Sequence, residues 1–123
     1  MIKIRIKGHE ESFHSNGDDS LLRAGLRAGF GLPYECSTGS CGTCKFELLD
    51  GEVADLWPDA PGLTERDKRK GRKLACQNHP LSDCTIKMRI DPAAVPRIIP
   101  RRQVVRLVES RKLTHDMQEF HFA

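Results

Sequence analysis

Cys36-Ser37-Thr38-Gly39-Ser40-Cys41-Gly42-Thr43-Cys44 sets three cysteines at a C-x4-C-x2-C spacing, and a fourth, Cys76, follows downstream. That spacing suits a [2Fe–2S] cluster, in which each iron takes two thiolates. The intervening residues fit the task. With four thiolates bound the cluster is net negative, and small residues let the backbone wrap closely enough for its N–H groups to point inward at that charge. Gly39 and Gly42 admit a positive φ and close approach. Ser37, Ser40 and Thr43 add little bulk and carry hydroxyl donors. The predicted metal ligands, and the whole cofactor-binding set, are Cys36, Cys41, Cys44 and Cys76. No catalytic residue is expected, because the chemistry is iron and sulfide chemistry.

Other uses of these cysteines fit less well. Zinc favours repeated C-x2-C pairs. Cys41 and Cys44 supply one, but Cys76 and Cys84 stand at C-x7-C and Cys36 would be idle. A thioredoxin-like C-x-x-C opens a helix, and no helix is predicted after Cys44. A Rieske centre needs two His ligands. His9, His14, His79, His115 and His121 show no C-x-H spacing. Cys84 reads as a small apolar residue opening the last strand of the main domain.

Around this loop the chain has room for one domain and an attached segment: 123 residues, 38% hydrophobic and 30% charged. That composition excludes disorder as the main state, and no apolar run approaches the roughly 18 residues of a membrane helix. Met1-Ile2-Lys3-Ile4-Arg5-Ile6-Lys7 lacks the apolar stretch and cleavage site of a signal peptide. A cytoplasmic location is expected, where an odd number of cysteines means metal or redox chemistry rather than a disulfide framework. Residues 1–94 hold 14 basic and 14 acidic side chains, and the net charge of +3 lies in residues 95–123. With a neutral main body, one Tyr and one Trp, there are few platforms for base stacking, so no nucleic acid is expected as a partner. The Arg66–Lys73 run reads as a solvated helix face.

The alternation of Ile with Lys or Arg over residues 2–7 predicts a half-buried strand, and a second runs through Phe13. Asp18, Asp19 and Ser20 offer N-cap oxygens to a helix carrying Leu21, Leu22, Ala24, Leu26 and Ala28, which Gly29, Gly31 and Pro33 end. Phe46–Leu49 is a predicted strand, Asp50-Gly51 a hairpin turn, and Val53–Trp57 a strand expected to pair back. Thr64 and Asp67 make a capping box for a short polar helix. Leu74-Ala75-Cys76 is buried by pattern, and Thr85–Ile90 alternates as a closing strand. Pro92, Pro96 and Pro100 mark a linker. Val104–Val108 and Met117–Phe122 then read as two strands, too few to bury an apolar face alone. The chain is therefore expected to be cut from a longer protein whose second domain starts at about residue 101.

Pro33-Tyr34-Glu35-Cys36 through Cys44, with Leu74-Ala75-Cys76-Gln77, resembles plant-type ferredoxin domains of the β-grasp fold over about residues 1–91. The segments Glu47–Val53, Leu56–Leu63 and Pro80–Asp83 are similar to the reductase components of bacterial toluene, benzene and phenol monooxygenases. Arg106–Phe120 is similar to the opening strands of the FAD barrel in those reductases. The resemblance implies an α+β fold: a mixed β-sheet with one main helix and a cluster-binding loop. It implies a ferredoxin domain over residues 1–91, a linker over 92–100 and the start of an FAD-binding domain over 101–123. It further implies one-electron transfer from NADH, through FAD in the parent reductase, to a Rieske ferredoxin or a diiron hydroxylase. FAD and NADH sites belong only to that full-length parent. Whether the chain belongs to an enzyme is left open by its own residues. The alternatives are a diffusible stand-alone ferredoxin and the reductase of a ring-hydroxylating dioxygenase.

Overall fold

The computed structural model describes all 123 residues. Strand β1 (Ile2–Ile6) buries Ile4 and Ile6 and turns Lys3, Arg5 and Lys7 the other way, as its period-two pattern requires. It pairs antiparallel with β2 (Ser12–Ser15), placing Phe13 beside Ile4. Helix α1 (Leu21–Arg27) starts at Ser20, whose hydroxyl accepts from the N–H of Arg23 at 3.2 Å. Behind that cap, burial alone would raise the pKa of Asp19. Its hydrogen bond to Arg27 at 2.6 Å and the Ser20 N–H outweigh burial and lower it. Gly29, at φ 85°, ends the helix where the sequence places the stop.

Strand β3 (Lys45–Asp50) leaves the cysteine loop, β4 (Val53–Asp55) follows, and α2 (Glu65–Arg69) precedes β5 (Arg72–Leu74). A 3-10 turn over Ala75–Gln77 leads into β6 (Asn78–Pro80), and β7 is Cys84–Lys87. The main sheet has the order β2-β1-β7-β3-β5, with β1 and β7 parallel and the other pairs antiparallel. Its inner face, with α1 across it, holds the core of Ile4, Ile6, Phe13, Leu21, Leu22, Phe46 and Ile86. This is the β-grasp arrangement, a mixed sheet with one main helix.

Three expectations are corrected. Val53–Asp55 does not pair back on β3. It forms a separate two-stranded ladder with β6, because Gly51, at φ 93°, packs on the Asp83–Cys84 backbone and turns the chain out of the main sheet. β7 is the last strand of the main sheet in chain order, as expected, but it stops at Lys87 rather than Ile90. Beyond it Met88 stays buried while the chain swings to bond Asp91 N–H to Gly31 O at 2.9 Å. The strand expected at Val104–Val108 lies at β8 (Leu107–Lys112), opposite β9 (Gln118–Phe122). Paired bonds between Arg106 and Ala123 fix that register. All of β8 and most of β9 is exposed, including Leu107, Val108, Phe120 and Phe122.

Candidate cluster site

The loop between α1 and β3 has no regular structure, and its backbone is shaped around sulfur. The N–H groups of Thr38, Ser40 and Cys41 point at Cys36 Sγ at 3.3, 3.3 and 3.4 Å. The Thr43 N–H points at Cys41 Sγ at 3.4 Å. Such a fan requires left-handed backbone, supplied by Ser37 (φ 54°), Gly39 (φ 87°) and Gly42 (φ 74°). The Thr38 hydroxyl, with the surrounding N–H groups, pulls the Cys36 thiol down to about 5, so a thiolate is its ordinary state at neutral pH.

The second pair of cysteines is held from the sheet. Cys44, buried at the mouth of β3, accepts the Ala75 N–H on its carbonyl at 2.9 Å. The Cys76 N–H faces its sulfur, and the two thiols interact. Burial pushes the Cys44 thiol up to about 12. Binding a metal there therefore carries proton release with it. Cys76 is half-buried, not buried as its sequence pattern suggests, while Leu74 and Ala75 before it are buried. The fully buried Asn78 donates to Leu74 O at 2.8 Å and closes the turn that presents Cys76; its Oδ1 has no partner.

The four predicted ligands thus stand as Cys36 and Cys41 in the loop, Cys44 immediately before β3 and Cys76 in the 3-10 turn after β5. No three His, Cys, Asp or Glu side chains converge at metal-ligand spacing. The donor chemistry nevertheless fits the cluster: four unpaired thiols, with backbone N–H groups already turned toward the sulfurs of Cys36 and Cys41. Cys84 is apart from them, buried, with its Sγ 3.1 Å from Ser82 O.

Sequence reasoning missed the buttress under the loop. Gly62 N–H donates to Gly39 O at 2.8 Å, and the Gly62 and Gly42 backbones are in contact. A Cβ on Gly62 would stand 2.6 Å from Gly42 N and 2.8 Å from Gly39 O. Trp57 packs its ring edge over Gly39, held by an Asp55 turn that accepts the Trp57 N–H at 3.1 Å. The one available signal was the Pro61-Gly62 dipeptide, which reads as an ordinary turn. Gly62→Ala is expected to displace the loop backbone. The measurement is the visible absorbance per protein after reconstitution, which should fall well below that of the parent while the far-ultraviolet circular dichroism persists. Full cluster loading in Gly62→Ala would show that the contact is slack.

A β-grasp sheet whose helix-to-strand loop turns its N–H groups onto cysteine sulfur defines a ferredoxin-type [2Fe–2S] domain. The chain belongs to the 2Fe-2S iron-sulfur cluster binding domain family, which it matches over residues 4–81. It is 48% identical over 118 residues to the ferredoxin–NAD(P)(+) reductase CarAd of Metapseudomonas resinovorans, covering 95% of this chain and 36% of that one. It is 46% identical over 103 residues to the ferredoxin–NAD(+) reductase component of an alkene monooxygenase system of Xanthobacter autotrophicus, covering 83% and 31%. Among solved structures, the ferredoxin reductase in carbazole 1,9a-dioxygenase superposes with a TM-score of 0.91 at 43% identity, covering 98% of this chain and 38% of that chain. The chain spans about a third of the length of these relatives. Its cofactor is a [2Fe–2S] cluster, and its role is electron transfer. No helix is long and apolar enough to cross a membrane.

Proposed function

We propose that residues 1–91 carry the cluster on Cys36, Cys41, Cys44 and Cys76, and that residues 101–123 open a flavin-binding domain of a cytoplasmic NADH-dependent oxygenase reductase. When bound, the cluster takes up and releases one electron at a time. The chain's own residues fix its position, cover it and set its potential. N–H donors favour the more negative reduced state, so the donors around Cys36 and Cys41 raise the potential. Electrons would arrive from NADH through FAD in the parent and leave for a Rieske ferredoxin or a diiron hydroxylase.

The observation that carries the reading is the fan of N–H groups on Cys36 Sγ. The exposed β8–β9 hairpin supports the two-domain parent over a stand-alone carrier, because its apolar residues Leu107, Val108, Phe120 and Phe122 each stay more than half exposed in this chain. The relatives include reductases of both dioxygenase and monooxygenase systems, so the ring-hydroxylating dioxygenase reading stands beside the monooxygenase one. The test is anaerobic reconstitution of the chain with and without residues 101–123, followed by visible and electron paramagnetic resonance spectra before and after dithionite. Both forms should be red-brown and accept one electron per two irons. A colourless zinc protein would sink the cluster assignment. Loss of the cluster on deleting residues 101–123 would make the hairpin part of the ferredoxin fold and sink the domain division.

A further inference from the structure

The strand register sorts the charges of the main sheet onto one face. Ile4 and Ile6 of β1 and Ile86 of β7 point to the core and α1. Their neighbours Lys3, Arg5, Lys7 and Lys87 must then point outward. Because β1 and β7 are adjacent and parallel, with Arg5 opposite Thr85 and Ile6 opposite Ile86, Lys7 stands beside Lys87. Arg89 continues the row and shares a hollow of about 310 Å³ with Lys87, Lys45 and Arg72. None of Lys3, Arg5, Lys7, Lys87 and Arg89 makes an ion pair. Of the acidic groups at this face, Glu47 pairs with Arg72, Asp67 with Lys45 and Arg72, and Asp83 takes the Lys3 N–H, while Asp50, opposite Thr85 on β3, is exposed and makes no ion pair.

Three features of this row bear on its use. It ends at Lys45, the residue after Cys44, so it leads to the cluster loop. It is uncovered, because α2 packs on β5 at the sheet edge and α1 lies on the opposite face. It is also clear of the chain that follows. Arg102 reaches Asp18 at 2.7 Å, and Pro100, Arg101 and Arg102 line a hollow with α1, Tyr34 and Ser37. The polypeptide therefore leaves over the helix layer, on the far side of the sheet.

We propose that the outer face of the main sheet, centred on Lys7, Lys87 and Arg89, docks an acidic protein electron carrier against the cluster. The inference rests on the electron-transfer reading above. Unpaired cations at this density attract an acidic surface and accelerate encounter. The outward positions of β1 and β7 carry no aromatic residue to stack on bases and no large apolar residue, and Leu49 at the β3 bulge is a single exposed apolar side chain, so a folded acidic protein fits better than nucleic acid or membrane.

The test uses the reconstituted chain and a purified, strongly acidic Rieske-type ferredoxin carrying a fluorescent label. Association is followed by stopped-flow fluorescence, which needs no electron to pass. Reduction is followed separately by absorbance, with the chain first reduced by one electron with dithionite and freed of the excess, so that the electron it loses is the one the ferredoxin gains. In K7E/K87E/R89E the association rate at low ionic strength should fall by roughly tenfold or more, and salt at about 0.5 M should erase the difference. The control R66E/R69E, on α2, should change it far less, and both variants should keep the parent's visible spectrum and melting temperature. A rate indifferent to salt and to K7E/K87E/R89E overturns the proposal, as does an equal loss in the control. Tighter binding of duplex DNA or phosphatidylserine vesicles than of the ferredoxin at about 0.15 M salt overturns it too. Salt-dependent association without reduction supports the docking face and sinks the electron-transfer reading; reduction without salt-dependent association does the reverse.

Discussion

Cys76→Ser is expected to abolish the visible absorbance of the reconstituted chain, while Cys84→Ser leaves it intact. The two cysteines are eight positions apart, and their surroundings differ. Cys76 follows β5 through Ala75, whose N–H is bonded to Cys44 O, and its own N–H faces the Cys44 sulfur. With the proposed ligand set, removing that thiol takes away one of four iron ligands. Cys84 is 1% exposed, with its sulfur against Ser82 O and Glu52 O. Burial raises its pKa, so it stays a protonated thiol. A serine hydroxyl in its place can still donate to Ser82 O, and the expected stability loss is about 1 kcal/mol. Because loading a structural metal contributes folding free energy, Cys76→Ser should also lower the melting temperature to that of the apo protein. A bleached Cys84→Ser beside a coloured Cys76→Ser would reassign the fourth ligand.

What was legible in the sequence was mostly local. The Ser20 cap, the Gly29 stop and the Thr64–Asp67 capping box each depend on residues within one turn, and each is where the chain placed it. The cysteine loop was legible because ligand spacing and small-residue content are themselves local. Pairings across the chain were not. Nothing near Val53 signals that its partner is Pro80 rather than β3, since the adjacent Asp50-Gly51 is a sound hairpin turn by itself. The Gly62 buttress was invisible for the same reason: a glycine in a turn needs no second explanation until another backbone is found against it. The polar helix after Thr64 reads as surface, and all of it is exposed or half-exposed except the residue that matters most, Asp67.

Asp67→Asn is expected to destabilise the domain by about 3 kcal/mol at pH 7, the lower end of the cost of breaking a buried pair. Asp67 is 2% exposed. One oxygen takes Lys45 Nζ at 2.7 Å and the Thr64 N–H at 2.9 Å; the other takes Arg72 at 2.9 Å. Lys45 and Arg72 are each about a third exposed, so water recovers part of what they lose, and the upper end of the range does not apply. The Lys45 ammonium first, then the Thr64 N–H and Arg72, hold the carboxyl well below the usual carboxylate range. A lowered folded-state pKa means that the contribution is complete above the unfolded value, about 3.9. It is lost as the pH falls below that toward the folded value. Urea unfolding of parent and Asp67→Asn should therefore differ most near neutral pH and converge in acid. A difference constant with pH would make the loss a packing defect. The charge also reaches the site: Lys45 follows Cys44, so freeing it from Asp67 loosens the strand mouth that holds Cys44. Asp67→Asn should bleach faster than the parent at equal protein concentration in a chelator. Lys45→Met should bleach faster as well, and the double variant should show less than the sum of the two effects, because both changes break the same contact. Strict additivity would mean that Asp67 stabilises α2 alone and does not anchor the loop.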